Sequence, residues 1–226
     1  MISTSYENSR DFLIYSNLAY LLPIAVLLYK ILYKKYFPKR VGFELALIYV
    51  AVMYFSINYH ICRSEIAKKE NDINQYQTEL PENNIKQSCE IGGGMVLDKA
   101  TLLDHIFAFY AISITMLYLI PLDPYTRHLI QSSLLIFIIV LQSYNELPYD
   151  DIITAIPTLL IAIYFSYYLI SSKTKKSNYY FVLSGSLLSI AAVMLFMLYP
   201  EPYWFNHSLW HILGALSGAL LLFPKY

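Results

Sequence analysis

The chain has 226 residues, of which 57% are hydrophobic and only 14% charged, with a mean hydropathy of +0.45. A soluble domain carries about 25% charged residues, so the composition excludes an ordinary soluble fold and points to lipid as the solvent. Sixteen basic residues balance sixteen acidic ones, which removes any global attraction to nucleic acid, and the length suits one compact domain over residues 1–226.

The polar start, Met1 to Asp11, lacks the basic stretch and small-residue cleavage site of a signal peptide, so the first apolar run is expected to remain as a helix. A helix crosses the bilayer core with about 20 apolar residues, and seven stretches qualify. They run from Phe12 to Leu32, Val41 to Ile61, Leu102 to Ile120, Leu129 to Ser143, Ile152 to Ile170, Tyr180 to Leu198 and Trp204 to Phe223. The runs are continuously apolar rather than alternating, which favours helices over barrel strands. The 23 tyrosines suit bilayer interfaces, where an apolar ring carries a polar tip. The expectation is an all-α, multi-pass bundle of seven transmembrane helices in the plasma membrane or a secretory-pathway membrane.

Loop charges orient it. With the N-terminus outside and the C-terminus cytosolic, Lys34, Lys35, Lys39, Arg40, Arg127, Lys173, Lys175, Lys176 and Lys225 face the cytosol, as basic residues in short loops should. Acidic residues such as Glu65, Glu79, Glu90, Asp150 and Glu201 fall on the other side. One long polar loop is expected from about Cys62 to Lys99. It holds Cys62 and Cys89, the only two cysteines, on the side where oxidation is favoured. A disulfide between them is worth on the order of 3 kcal/mol in the chain-entropy account; two free thiols are the alternative. The sequon Asn206-His207-Ser208 sits too near the bilayer to take a glycan.

Five polar residues interrupt the apolar runs: Ser56 and His60 near the end of the second span, Asp104 near the start of the third, and His207 and His211 at the start of the seventh. Ionisable groups at such depth are costly and mark functional sites. Ser56 with His60, and His207 with His211, are each four apart and share a helix face. The alternation of helix direction then puts His60, Asp104 and His207 at one level near the outer interface, with Ser56 and His211 a turn deeper. Three imidazoles from two helices can make a zinc site with an open position, beside a carboxylate able to act on a metal-activated water. Single histidines can equally hydrogen-bond headgroups or backbone, the reading given to His105 and to His128 at the opposite face. On the residues alone both readings stand.

The same residues carry a resemblance. Ser56-x-x-Tyr59-His60-x-Cys62, Asp104 with Asp98 six residues before it, and His207-Ser208-Leu209-Trp210-His211-Ile212-Leu213 resemble the transmembrane protein 8 and myomaker family. The closing run Leu220-Leu221-Leu222-Phe223-Pro224-Lys225 is similar too, while Arg63 stands where that family often has Asp. The family lies in the CREST superfamily of seven-helix membrane hydrolases. The resemblance implies zinc on His60, His207 and His211, Asp104 holding or activating the water, and Ser56 assisting the substrate oxygen. It implies hydrolysis of an acyl ester or amide in membrane lipid. Its alternative is a myomaker-like cell-surface protein that promotes membrane fusion, with structural zinc. Membrane lipid is the expected partner, a homodimer is compatible, and nucleic acid is not expected.

Overall fold

The computed structural model describes residues 10–34, 38–69, 97–120, 122–144, 160, 161, 164, 165, 167, 168, 176–198 and 203–223. Among them there is no strand. Six helices follow in order: α1 (Arg10–Tyr33), α2 (Lys39–Lys69), α3 (Leu97–Leu119), α4 (Pro124–Tyr144), α5 (Lys176–Leu198) and α6 (Tyr203–Leu222). They match six of the seven expected spans. Of the span expected from Ile152 to Ile170, only Leu160, Ile161, Tyr164, Phe165, Tyr167 and Tyr168 are described, and all six are helical. Among the described residues, four helical stretches are long and apolar enough to cross a membrane: Arg10–Tyr33, Lys39–Ile66, Lys99–Leu119 and Pro124–Gln142.

The largest departure from expectation is in α2. Residues from Cys62 to Lys69, expected as the start of a polar loop, continue the helix. Its 31 residues rise about 46 Å, well beyond the ~30 Å of bilayer hydrocarbon. The extension is buried: Cys62, Arg63, Ser64 and Ile66 are all under a tenth exposed, and Cys62 and Ile66, four apart, pack with Tyr59 and with Ala100 of α3. Polar residues alone suggest a loop, but packing of this stretch against its neighbours holds the helix.

α1 departs locally. Asn17–Tyr20 form a 3-10 turn inside it. Pro23 has no N–H to give the carbonyl of Ala19, and its ring crowds that carbonyl. Upstream, the Ser16 hydroxyl donates to the Leu13 carbonyl at 2.7 Å and the Asn17 amide donates to it at 3.1 Å, competing with the regular ladder. The turn ends at Tyr20, which is buried and faces α6.

α3 is the central helix, packed on α2, α4 and α6. Of its apolar stretch 61% is buried, against 11% for α4. α6 packs on α5, α1 and α3 and owes its close approach to small residues on its inner face. A Cβ at Gly218 would collide with the Tyr49 hydroxyl, and one at Gly185 of α5 would press on the Leu221 side chain at 2.8 Å. Hydroxyls tie the helices where the backbones run close. Tyr49 and Thr115 share a 2.9 Å hydrogen bond, and Ser217 donates to the Gly185 carbonyl at 2.7 Å while accepting from Ser189. Four hydroxyls and a carbonyl are satisfied inside the bundle, as burial away from water requires.

Candidate metal centre

Pro200-Glu201-Pro202 sets where α6 can begin, since proline cannot extend a helix beyond its first turn. From Tyr203 onward the spacing 207, 211, 214, 218 marks one face, carrying two histidines and then two glycines. That face meets α1 and α2. The glycines let the backbones approach, and the histidines one and two turns earlier are brought against His60.

The three imidazoles converge. His60 Nε2 and His211 Nε2 are 3.0 Å apart. Ring centroids stand 4.8 Å apart for His60 and His207, 5.2 Å for His60 and His211, and 4.7 Å for His207 and His211. One nitrogen from each ring lies within 4.8 Å of the other two. Nitrogens on a tetrahedral zinc at 2.0–2.1 Å stand about 3.3 Å from one another, so the donor set fits a metal ion with small side-chain adjustment. All three residues are buried: His60 0%, His207 4% and His211 2% exposed. His60 Nδ1 is buried and makes no hydrogen bond among the described residues.

The other expected residues sort around this cluster. Ser56 is fully buried, with Oγ 3.4 Å from His211 Nε2, matching the level inferred from helix direction. Asp104 is buried on α3 and lies outside the set of converging ligand atoms. His105 is partly buried on α3, while His128 is exposed on α4. Cys62 is disulfide-bonded, and no cysteine is free among the described residues. Cys89, the other cysteine of the chain, lies outside them.

Four neighbours were given no role at the site by the sequence, although Tyr59 and Arg63 lie in or beside the quoted motif. Tyr20 OH approaches His211 Nδ1 at 3.4 Å, an orienting contact of the kind that fixes a ligand tautomer. Tyr203 stacks on His207 at 4.7 Å between centroids, with 29° between the planes. Arg63 lies over the Tyr203 ring, its guanidinium carbon 3.8 Å from the centroid, and donates to Tyr59 OH at 3.1 Å. Tyr59 and Tyr203 hydroxyls are 3.3 Å apart. The only available signal was position: Tyr59 adjoins His60, Arg63 is three residues on, and Tyr203 is four before His207.

No curated protein matches this chain. Residues 87–212 match the family described as Protein of unknown function (DUF3522). That stretch holds Asp104, His207 and His211, whereas Ser56 and His60 precede it. The match spans more than half of the sequence, and the chain belongs to this family.

Proposed function

We propose that this is a zinc-dependent hydrolase of membrane lipid, with His60, His207 and His211 holding the metal and an acyl ester or amide as the bond cleaved. One observation carries the reading: three buried histidine side chains from two helices converge with Ser56 against one of them. In hydrocarbon such groups are retained at a cost, and three neutral imidazoles with a free position are a catalytic zinc donor set. Bound there, zinc would supply Lewis-acid polarisation of a carbonyl and make water a stronger acid. The chain's own groups do the rest. Ser56 donates a hydrogen bond to the substrate carbonyl oxygen. Asp104 takes the proton from the attacking water and returns it to the departing alcohol or amine. Water adds across the acyl bond, leaving an acid and the alcohol or amine.

The orientation belongs to the same proposal. Lys34, Lys39, Arg40 and Arg127 sit at the helix ends opposite the histidines, and the positive-inside rule makes that end cytosolic. The cluster then lies near the outer leaflet of a plasma or secretory-pathway membrane, and an acyl group from that leaflet would reach it only as the surrounding helices part. The test joins metal analysis of the solubilised chain with a lipid comparison of wild type and Asp104→Asn. About one zinc per chain, and a lipid ester or amide that accumulates in the variant, is the expected result. A wild-type chain without stoichiometric metal sinks it.

A second reading has its own support. Ser56, His60, Asp104, His207 and His211 are all 4% exposed or less. Among the described residues the cluster is enclosed, with no site side chain presented to an acyl chain. That favours structural zinc in a myomaker-like protein acting on membranes without hydrolysis. Full cell-fusion activity in an Asp104→Asn variant would select this reading over the first.

A further inference from the structure

The metal-site reading uses His60, Ser56, Asp104, His207 and His211, and leaves unexplained why an arginine is buried one turn beyond them. Arg63 is only 3% exposed. It follows His60 by three residues, so it covers the outer end of the cluster on the same side of α2. Its guanidinium carbon stands over Tyr203, 3.8 Å from the ring centroid, and Nη1 donates to Tyr59 OH at 3.1 Å. Tyr59 in turn meets Tyr203 through their hydroxyls at 3.3 Å. Arg63 therefore grips one residue of its own helix and one of α6, and those two grip each other.

Both gripped tyrosines touch metal-ligand candidates. Tyr203 stacks on His207 with 29° between ring planes, and the Tyr59 ring lies 4.8 Å from that of His60. From these contacts we infer that Arg63, through Tyr203 and Tyr59, is a positioning residue that sets the ring planes of His207 and His60 and keeps their nitrogens converged. The inference rests on the metal-site reading and adds the part that holds it open. An arginine suits the task where a lysine does not. Its planar fork stacks on an aromatic face and donates in its plane at once, whereas an ammonium does one or the other. Groups that orient metal ligands typically change metal affinity about 10–100-fold when removed.

The experiment uses the full chain in detergent, exchanged against buffered free zinc, with bound zinc measured by elemental analysis and ligand geometry by the visible spectrum of the cobalt-substituted protein. Arg63→Met and Tyr203→Leu are each expected to weaken zinc binding about 10–100-fold and to change the cobalt bands. Arg63→Lys is expected to fall with Arg63→Met. Tyr203→Phe, which keeps the stack on His207, should stay close to wild type. If Arg63→Met does not accumulate, Tyr203→Leu against Tyr203→Phe carries the test alone. Wild-type affinity and an unchanged cobalt spectrum in Tyr203→Leu would overturn the inference while leaving the metal site intact. A wild-type chain that binds neither zinc nor cobalt would overturn both.

Discussion

Two parts of this molecule answer to the same apolar composition in opposite ways. Around the start of α6 the helices bury polar side chains against one another: Ser56, His60, Arg63, Asp104, Asn206, His207 and His211 are all under a tenth exposed. α4 does the reverse, with Leu129, Ile136, Phe137, Ile139 and Val140 all 41% or more exposed. Against lipid an exposed isoleucine gains as much from the solvent as from a neighbour, so helix association relies on close packing and interhelical hydrogen bonds. Polar residues thus specify where helices meet, and apolar ones only that they cross. The comparison makes the histidine end the place where small chemical changes should have large effects.

The largest effect is expected at the ligands. His211→Ala should abolish retention of zinc through dialysis, with His60→Ala and His207→Ala behaving alike, because three donors are the minimum for a tight site. Metal content after exchange checks it. Next comes Asp104→Asn, which should keep the metal and slow lipid turnover by about 10²–10⁴-fold, the usual worth of a general acid–base group. Loss of metal in that variant would make Asp104 part of the binding site and break the assigned division of roles.

Packing should separate the two regions next. Gly218→Ala puts a methyl into the Tyr49 hydroxyl, which is held by Thr115, and overpacking of this kind costs about 1–3 kcal/mol. Ile114→Ala, from a residue 1% exposed in α3, leaves a cavity worth about 2 kcal/mol. Lipid removes most of the transfer part of that cost and leaves the lost packing. Ile136→Ala in α4, 63% exposed, should change stability by about 0.5 kcal/mol or less. Unfolding in mixed micelles ranks the three, and an equal loss at Ile136 would show that α4 is covered rather than lipid-facing.

What the chain disclosed follows the same division. The helices were legible because hydrocarbon demands unbroken apolar runs, and for six of the seven expected spans the observed ends differ mostly by a few residues. That Ser56, His60, His207 and His211 come together was legible too, since alternating helix direction and the rise per residue bring them side by side. Rotation about each helix axis was not. Whether Tyr20 faces lipid or His211 depends on a 3-10 turn ahead of Pro23, and whether Arg63 meets Tyr203 depends on how near the glycines let α6 come. The helical extension past Cys62 was hidden because two apolar residues, Cys62 and Ile66, are a weak signal among charged neighbours.

The smallest expected effect lies at the foot of α4, where the structure has an ordinary helix cap in place of a site. Asp123 precedes Pro124, the residue best suited to a first helical position, and its carboxylate accepts from the Thr126 amide at 3.0 Å. The hydrogen bonds from Thr126, side chain first and backbone second, hold this fully exposed carboxyl below its ordinary range. A depressed folded-state value means the cap contributes stability above the unfolded carboxyl value, near 3.9, and loses it as pH falls through the folded value. Asparagine caps about as well without the charge. Asp123→Asn should therefore match wild type at neutral pH and remove only the acid-side decline, a difference that salt further reduces. A large loss at neutral pH would mean that this end of α4, unlike the rest of its surface, is built into the bundle.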